Sequence, residues 1–341
     1  MEKFAEGTYV PLRAKGGYGE YNLWGTLREV AVGTPEGAMM PDNTELLIAK
    51  LRHVLHPTVL EMLEKRGDKR FLKDLLPKIY DDLFEETEEL IKAYENHGVE
   101  VRRLRLATEG EELLNWGTGG RFQAFAAEPL WVVGRMVFEN QWPHGLSRSQ
   151  VMAVRDHHQP YIDADPNILY FNAPTTNPDT LDYDYEGGDV LNLGDGNVIV
   201  ATGHSSTNRR GADWIARILR LDGYTPHIVD LPDVGIHHLF AVMCLAGPRT
   251  AIAYPESFPN GVPAPMKDWE IIWTTREEAL ATGPCGTMIN PKTIVMPRET
   301  PRLNDELSRR GITPVPVPMK AHSMFAGGNR CMTSVIRRDL S

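Results

Sequence analysis

The chain has 341 residues, of which 42% are hydrophobic, and a net charge of −10 at neutral pH. This size and apolar content are typical of a globular protein with a substantial core. No apolar run approaches the roughly 18 residues that a membrane-spanning helix needs. The negative charge argues against nucleic acids and anionic membranes as partners, because both attract clustered lysine and arginine. A small cationic substrate is compatible with it.

Three cysteines, Cys244, Cys285 and Cys331, are too few for a disulfide framework and lack the spacing of a zinc site. The N-terminal segment contains no apolar stretch of the kind found in secretory signals. We therefore expect a cytoplasmic protein of a reducing compartment, with neither a metal nor a cofactor. The oligomeric state stays open, and a homodimer is one possibility.

Apolar alternation bounded by turn residues predicts a series of strands along the chain. In chain order these strands are 27–33, 99–104, 130–134, 135–139, 190–193, 197–200, 225–231, 238–245, 250–254, 287–290, 293–296, 313–317 and 332–337. A helical period in the apolar residues predicts helices within 57–98 and at 210–222 and 302–310. Residues 40–58 are expected to be a loop with short helical pieces.

These elements repeat a strand, hairpin and helix module about five times, and no Ser/Gly linker divides the chain. Repetition without a linker favours one radially arranged α/β domain over residues 1–341, with a helical insertion around 57–98. A doubly wound sheet is the alternative. It is less favoured because hairpins imply antiparallel pairing, and no G-x-G-x-x-G motif follows the first strand. In a radial fold the functional residues should be scattered along the sequence and converge near the axis.

A C-terminal motif, residues 322–333, places Cys331 just after the pair Gly327-Gly328 and before the last predicted strand. Glycine permits a close turn, so a nucleophile can be presented there on a fixed backbone. The thiolate is the reactive form of cysteine, and positive charge from Arg330 or a bound cation would favour it. A buried structural cysteine is the alternative interpretation.

Two further motifs carry acid and base groups. Glu186 and Asp189 flank two glycines just before a predicted strand, and paired carboxylates of this kind can hold a planar cation. His237 and His238 stand at the head of another predicted strand, where one of them would face the site and could transfer protons. Taken singly, these motifs are equally compatible with an acidic turn and with strand histidines that have structural partners.

Together, the carboxylates, the histidine and the cysteine resemble the amidinotransferase and arginine deiminase superfamily, whose members modify guanidino groups and share a five-bladed α/β propeller. The C-terminal string HS-x3-GG-x2-C-x-T-x3-RR, beginning at residue 322, is similar to the amidinotransferases. Residues 27–33 resemble their first strand, and the helical segment 57–98 resembles their N-terminal helical insertion. Residues 186–189 (EGGD) look instead like those of the deiminases and dimethylarginine hydrolases. The resemblance extends over roughly residues 20–338.

The resemblance implies a role for each matching residue. Cys331 would attack the guanidinium carbon and form a covalent amidino-cysteine. His238 would shuttle protons, and Glu186 would bind guanidinium nitrogens, while Asp189 would hold the turn or balance charge. Glu128 falls where the family usually has aspartate, so its carboxylate is one methylene further from the backbone.

Other positions depart from the family pattern or are less closely tied to it. Many relatives have His-x-Asp, whereas here Phe240 stands two residues after His238, and it could accommodate a modified guanidine. Arg148 and Arg155 are candidates for gripping a substrate carboxylate. His322 is a candidate for supporting the nucleophile. A solvated helix face is the alternative for the two arginines.

Two enzymatic functions fit this pattern. Transfer of the amidino group of arginine or a related guanidine to an amine is favoured by the C-terminal string. Hydrolysis of the same intermediate is favoured by the EGGD motif and by the missing aspartate after His238. A third hypothesis is a non-catalytic protein that binds a guanidino metabolite. The intact set of Glu186, His238 and Cys331 argues against it. The sequence does not name the amine.

Overall fold

A computed structural model of the protein describes residues 13–41, 45–65, 70–112, 120–140, 148–174 and 183–340. Within these residues the strands form five sheets of three strands each. The strands are β1 (Leu27–Val32), β2 (Glu100–Arg103), β3 (Leu130–Val133), β4 (Met136–Glu139), β5 (Leu169–Asn172), β6 (Val190–Asn192), β7 (Asn197–Thr202), β8 (Thr225–Asp230), β9 (Met243–Gly247), β10 (Thr250–Ala253), β11 (Glu270–Trp273), β12 (Thr287–Asn290), β13 (Thr293–Pro297), β14 (Thr313–Val317) and β15 (Thr333–Arg338).

Helices connect the strands or lie over them. They are α1 (Glu45–Leu51), α2 (Pro57–Lys65), α3 (Leu72–Leu75), α4 (Pro77–Glu95), α5 (Glu109–Glu112), α6 (Arg148–Ala164), α7 (Arg209–Leu221), α8 (Leu239–Val242), α9 (Arg276–Leu280), α10 (Pro301–Arg309) and α11 (Lys320–Ser323). No helix in the described ranges is long and apolar enough to cross a membrane.

Each sheet has the same internal topology. Its central strand pairs antiparallel with one neighbour and parallel with the other, as β4 does with β3 and β5. A tight hairpin suffices for the antiparallel pair, whereas the parallel pair needs a crossover, which α6, α7 and α10 provide in three of the sheets. The other four sheets repeat this arrangement in β6–β8, β9–β11, β12–β14 and β15-β1-β2.

The two ends of the chain meet in one sheet. β1 pairs antiparallel with β15 and parallel with β2, so the fifth module combines strands from both ends of the chain. Glu29 on β1 binds Arg102 at 2.9 Å and Arg337 at 2.7 Å, which ties all three strands together. Five mixed sheets in this arrangement confirm the predicted five-bladed α/β propeller and exclude the doubly wound alternative.

The sequence patterns missed several elements. β5 and β11 are short outer strands with partly exposed residues, so their alternation is weak. The segment 238–245 was predicted to be a strand, but its first part, Leu239–Val242, forms the buried helix α8, and β9 starts only at Met243. Four consecutive apolar residues carry no period that separates a strand from a buried helical turn.

Helices α1–α4 form a cluster over one side of the molecule. Lys50 of α1 makes a nearly buried ion pair with Asp184, which lies two residues before Glu186. Glu86 of α4 accepts hydrogen bonds from the backbone N–H groups of Ala321 (2.7 Å) and His322 (3.0 Å) at the start of α11. The helical cluster is therefore bound to two segments that lead into the candidate site.

Candidate active site

Four titratable side chains converge from four different modules. Glu128 precedes β3, Glu186 precedes β6, His238 precedes α8 and Cys331 precedes β15. The reactive atoms of Glu128, His238 and Cys331 all lie within 4.8 Å of one another, and none of the four residues is more than 6% exposed. The convergence at the strand ends is the arrangement expected of a radial fold.

The two glycine pairs of the sequence motifs allow close approaches. A Cβ atom on Gly188 would lie 2.7 Å from the ring of His238, and one on Gly328 would lie 3.0 Å from the Cβ of Cys285. A side chain at Gly188 would therefore displace the histidine ring from its place above the turn. These positions require glycine because of space rather than backbone angle.

His238 lies between two carboxylates. Its Nε2 is hydrogen-bonded to Glu186 Oε2, and its Nδ1 is 3.7 Å from Glu128 Oε1. Burial by itself would lower the pKa of His238, but Glu186, Glu128 and Asp189 outweigh burial and raise that pKa to about 10. The imidazole is therefore held as a cation at neutral pH, and it can donate a proton.

Glu128 is a carboxyl that resists ionisation. Burial raises its pKa to about 8, with further increases from Glu186, Cys285 and Asp189 and an opposing effect of His238. Within the described part of the chain, Glu186 Oε1 has no hydrogen-bond partner. One imidazolium thus faces more carboxyl groups than its single charge can balance, and a bound cation would supply the missing charge.

Asp189 holds the backbone on both sides of the site. Its carboxylate accepts hydrogen bonds from the backbone N–H of Thr207 at 3.0 Å and of Leu239 at 3.1 Å, and it is completely buried. Leu239 directly follows His238, so this contact fixes the start of α8 and with it the position of the imidazole.

Cys331 is in contact with a second thiol. Its Sγ lies 3.7 Å from the Sγ of Cys285, and both side chains are fully buried. The hydrogen bond with Cys331 lowers the pKa of Cys285 to about 7, while the hydrogen bond with Cys285 and burial raise the pKa of Cys331. The pair therefore loses one proton readily and holds the second between two sulfurs.

The two adjacent histidines share one side of the site. The strand pattern predicted opposite faces, and that prediction was wrong because His238 is followed by a helical turn. The two rings lie 3.6 Å apart between centroids, and His237 Nε2 is 3.7 Å from Glu186 Oε2. His237 Nδ1 is hydrogen-bonded to Ser205 Oγ at 2.8 Å.

A cavity of about 70 Å³ lies against this group of residues. Glu128 and His237 line it on the side of His238, and Gln150 adds another polar side chain. The remaining lining is apolar. It comes from α1, α2 and the turn between them, from the aromatic rings of Phe122, Phe125 and Phe325, and from Met40 and Ala326. The helical cluster α1–α4 therefore supplies one wall of a compartment that reaches the candidate site.

Several predicted site residues lie elsewhere or are only partly described. Phe240 packs in the core with the guanidinium of Arg330 4.8 Å above its ring, away from the cavity lining. Arg330 itself pairs with a buried glutamate, Glu20, at 2.8 Å. Arg155 lies on α6 with its Nη2 2.8 Å from the sulfur of Met152.

The structure describes the backbone of two more candidate site residues, Arg148 and His322. Arg148 is the first residue of α6, and its side chain lies outside the described residues. His322 is completely buried, and its Nδ1 is 2.8 Å from Glu86 Oε2. The structure thus gives His322 a partner on the helical cluster rather than on the nucleophile's loop.

Two site residues were missed in the sequence. Cys285 has no role in the sequence-based prediction, because no local motif separates it from Cys244, which is buried in β9. His237 was set aside by the strand argument, although its place beside His238 was itself a usable signal. Cys285 was missed because its contact with Cys331 joins two modules. His237 was missed because a helical turn, not a strand, follows His238.

Known proteins with similar sequences or folds lie in one group of enzymes. No protein-family model matches the chain. Glycine amidinotransferase of Xenopus laevis, described as mitochondrial, is 22% identical over 367 aligned positions that cover 93% of this chain and 82% of the relative. The chain is therefore similar in sequence to amidinotransferases over most of its length.

Solved structures of an amidinotransferase and of a hydrolase share the fold. SxtG, an amidinotransferase from Microseira wollei, superposes with a TM-score of 0.76 at 21% identity, covering 95% of this chain and 98% of SxtG. A dimethylarginine dimethylaminohydrolase superposes with a TM-score of 0.63 at 17% identity, covering 91% of this chain and 100% of the hydrolase. The fold of these enzymes therefore extends over nearly the whole chain.

Proposed function

We propose that this enzyme transfers the amidino group of arginine or a related guanidine to an amine through a covalent intermediate on Cys331. The observation that carries the proposal is the convergence of Glu128, His238 and Cys331 within 4.8 Å in a buried site. A cationic guanidinium fits between carboxylates, a thiolate attacks its carbon, and an imidazolium protonates the leaving amine. The similarity to amidinotransferases over 93% of the chain supports transfer as the reaction.

In the first half-reaction, Cys331 passes its proton to the sulfur of Cys285, 3.7 Å away, and its thiolate attacks the central guanidinium carbon to form a C–S bond. The C–N bond to the substrate chain then breaks, and the departing nitrogen takes a proton from His238. Glu186 and Glu128 hold the remaining nitrogens by charge-assisted hydrogen bonds. The site is suited to this step because His238 already carries the proton at neutral pH.

In the second half-reaction, the nitrogen of an acceptor amine attacks the amidino carbon. A new C–N bond forms, the C–S bond breaks, and the attacking nitrogen gives its proton to His238, which regenerates the imidazolium. Asp189 is a positioning residue in this proposal, because it holds the backbone N–H beside His238. Exclusion of water from the buried site keeps the intermediate available to the amine.

The predicted carboxylate-gripping role of Arg148 and Arg155 stays a prediction, as do the substrate contact of Phe240 and the supporting role of His322. We also propose a cytoplasmic location, which three unpaired buried cysteines support. The mitochondrial location in the name of the Xenopus relative belongs to that protein.

The test is incubation of the enzyme with arginine, with and without a panel of amines, followed by mass spectrometry of the products and of the intact protein. Transfer predicts an amidino adduct on Cys331 and ornithine release that depends on an amine beyond the first turnover. The Cys331→Ser variant should form no adduct, and Cys244→Ser is the matched control.

Hydrolysis is the second candidate, favoured by the EGGD sequence that places Glu186 and by Phe240 at the position where many relatives have aspartate. In that case water attacks the amidino-cysteine, and citrulline or ammonia forms without any amine. Continuous amine-independent turnover would refute transfer and support hydrolysis. Absence of any adduct with a full panel of guanidines would refute both.

A further inference from the structure

We propose that the acceptor of this enzyme is a primary amine on an apolar chain that carries no carboxylate. The inference rests on the proposed amidino transfer and extends it to a class of substrate. It is carried by the cavity that adjoins Glu128 and His237, whose other walls are largely aliphatic and aromatic.

The charges around the cavity favour a cation and disfavour an anion. Glu128 and His237 are the titratable residues of its described lining, and that lining contains no lysine or arginine. The carboxylate of Glu186 lies directly behind His237. A carboxylate on the acceptor, or on the guanidine that loads Cys331, would enter this compartment with no lysine or arginine in its described lining, and an unpaired buried charge is strongly unfavourable.

The apolar walls provide a positive reason for binding. Leu51, Leu55 and Leu63 come from the helical cluster, and Phe122 and Phe325 face the same space. Burial of a methylene against such walls favours binding by about fourfold per group. An alkyl or arylalkyl chain along them would leave its nitrogen at Glu128, within reach of Cys331.

The helical cluster is fixed in place, so the apolar wall belongs to the site. Lys50 of α1 pairs with Asp184 beside the EGGD turn, and Glu86 of α4 binds the start of α11. Two nearly buried anchors therefore hold the wall against the catalytic modules.

The test compares ligands that differ at one end. Hexylamine and 6-aminohexanoate have chains of equal carbon number, but the second ends in a carboxylate. Hexylguanidine and 6-guanidinohexanoate form the same pair for loading of Cys331 in the reverse direction. We expect hexylamine to be amidinated with a kcat/KM at least about 30-fold above that of 6-aminohexanoate, because of the unpaired carboxylate.

A matched pair of variants locates the preference in the cavity. Leu55 lines the cavity and is partly exposed, so Leu55→Arg places a cation in the wall at little cost to folding. Leu60 on α2 is similarly exposed and lies outside the lining, so Leu60→Arg is the control. Leu55→Arg should reduce the preference for hexylamine about tenfold or reverse it, and Leu60→Arg should leave it unchanged.

The outcomes separate this inference from the proposed function. Faster amidination of glycine or 6-aminohexanoate than of hexylamine overturns the inference and leaves transfer standing. An unchanged preference in Leu55→Arg also overturns it. Failure of every guanidine to load Cys331 overturns the proposed function itself.

Discussion

Replacement of Glu128 by glutamine should stabilise the fold while removing activity. Burial raises the pKa of Glu128 to about 8 from its ordinary value of 4.5. Let the pKa of a carboxyl group be higher in the folded protein than in the unfolded chain. Folding then becomes less favourable as pH rises from the lower value to the higher one, because the unfolded chain releases the proton first. Glutamine has the same shape and cannot ionise, so it escapes this penalty.

The size of the effect follows from the two pKa values. Each pH unit between them costs about 1.4 kcal/mol of unfolding free energy. Between pH 4.5 and neutral pH the wild-type protein loses on the order of 3 kcal/mol through this group, and on the order of 5 kcal/mol above pH 8. We therefore expect Glu128→Gln and wild type to be equally stable near pH 4 and to diverge as pH rises.

Urea unfolding at a series of pH values measures this divergence, with kcat/KM recorded on the same preparations. Glu29→Gln is the matched control with the opposite sign, because hydrogen bonds from Tyr161, Arg102 and Arg337 outweigh burial and lower the pKa of Glu29. That variant should be less stable than wild type at neutral pH, with the difference fading in acid. A Glu128→Gln curve parallel to wild type would refute the reasoning, as would a glutamine variant with full activity.

Three further outcomes are expected. Binding of a guanidine to the wild-type enzyme at neutral pH should release a proton, because the bound cation favours ionisation of Glu128. Calorimetry in buffers of different ionisation enthalpy measures this release, which should be absent in Glu128→Gln. Arg338→Met should cost about 2–3 kcal/mol in urea unfolding because it removes one of the two arginines that pair with the buried Glu20. Arg28→Met, in an exposed pair, should cost under about 1 kcal/mol, and equal costs would contradict this. Glu86→Gln should lower the midpoint of thermal unfolding, since it weakens two hydrogen bonds at the start of α11, and an unchanged midpoint would show that the anchor is unimportant.

Much of the architecture was predictable because short-range patterns of apolar and turn residues indicate it. The hairpins at Val190–Thr202 and Thr287–Pro297 follow from apolar alternation around short turns. The glycines beside Glu186 and Cys331 marked two segments where backbone and side chains approach closely. Such signals need no knowledge of the rest of the chain, so the module repeat and the main candidate residues could be proposed from sequence.

Other features depend on how distant segments meet. Cys285 and Cys331 are in separate modules, and their 3.7 Å contact arises because both modules end near the same axis. His237 and His238 share one side because the following residues turn into a helix rather than continuing a strand, a choice made by burial on all sides. Apolar runs that are completely buried have no polar face to reveal their period.

The sequence by itself placed a cysteine, a histidine and carboxylates in motifs that resemble those of guanidino-modifying enzymes, and this resemblance indicated the class of chemistry. Tertiary structure alone decided the environment of those groups: the second thiol at Cys331, the proton held on His238 and the apolar compartment beside Glu128. The physical reason is that reactivity and selectivity depend on burial and on the distance between charges. Both are set when the five modules close around their axis and the helical cluster covers one side.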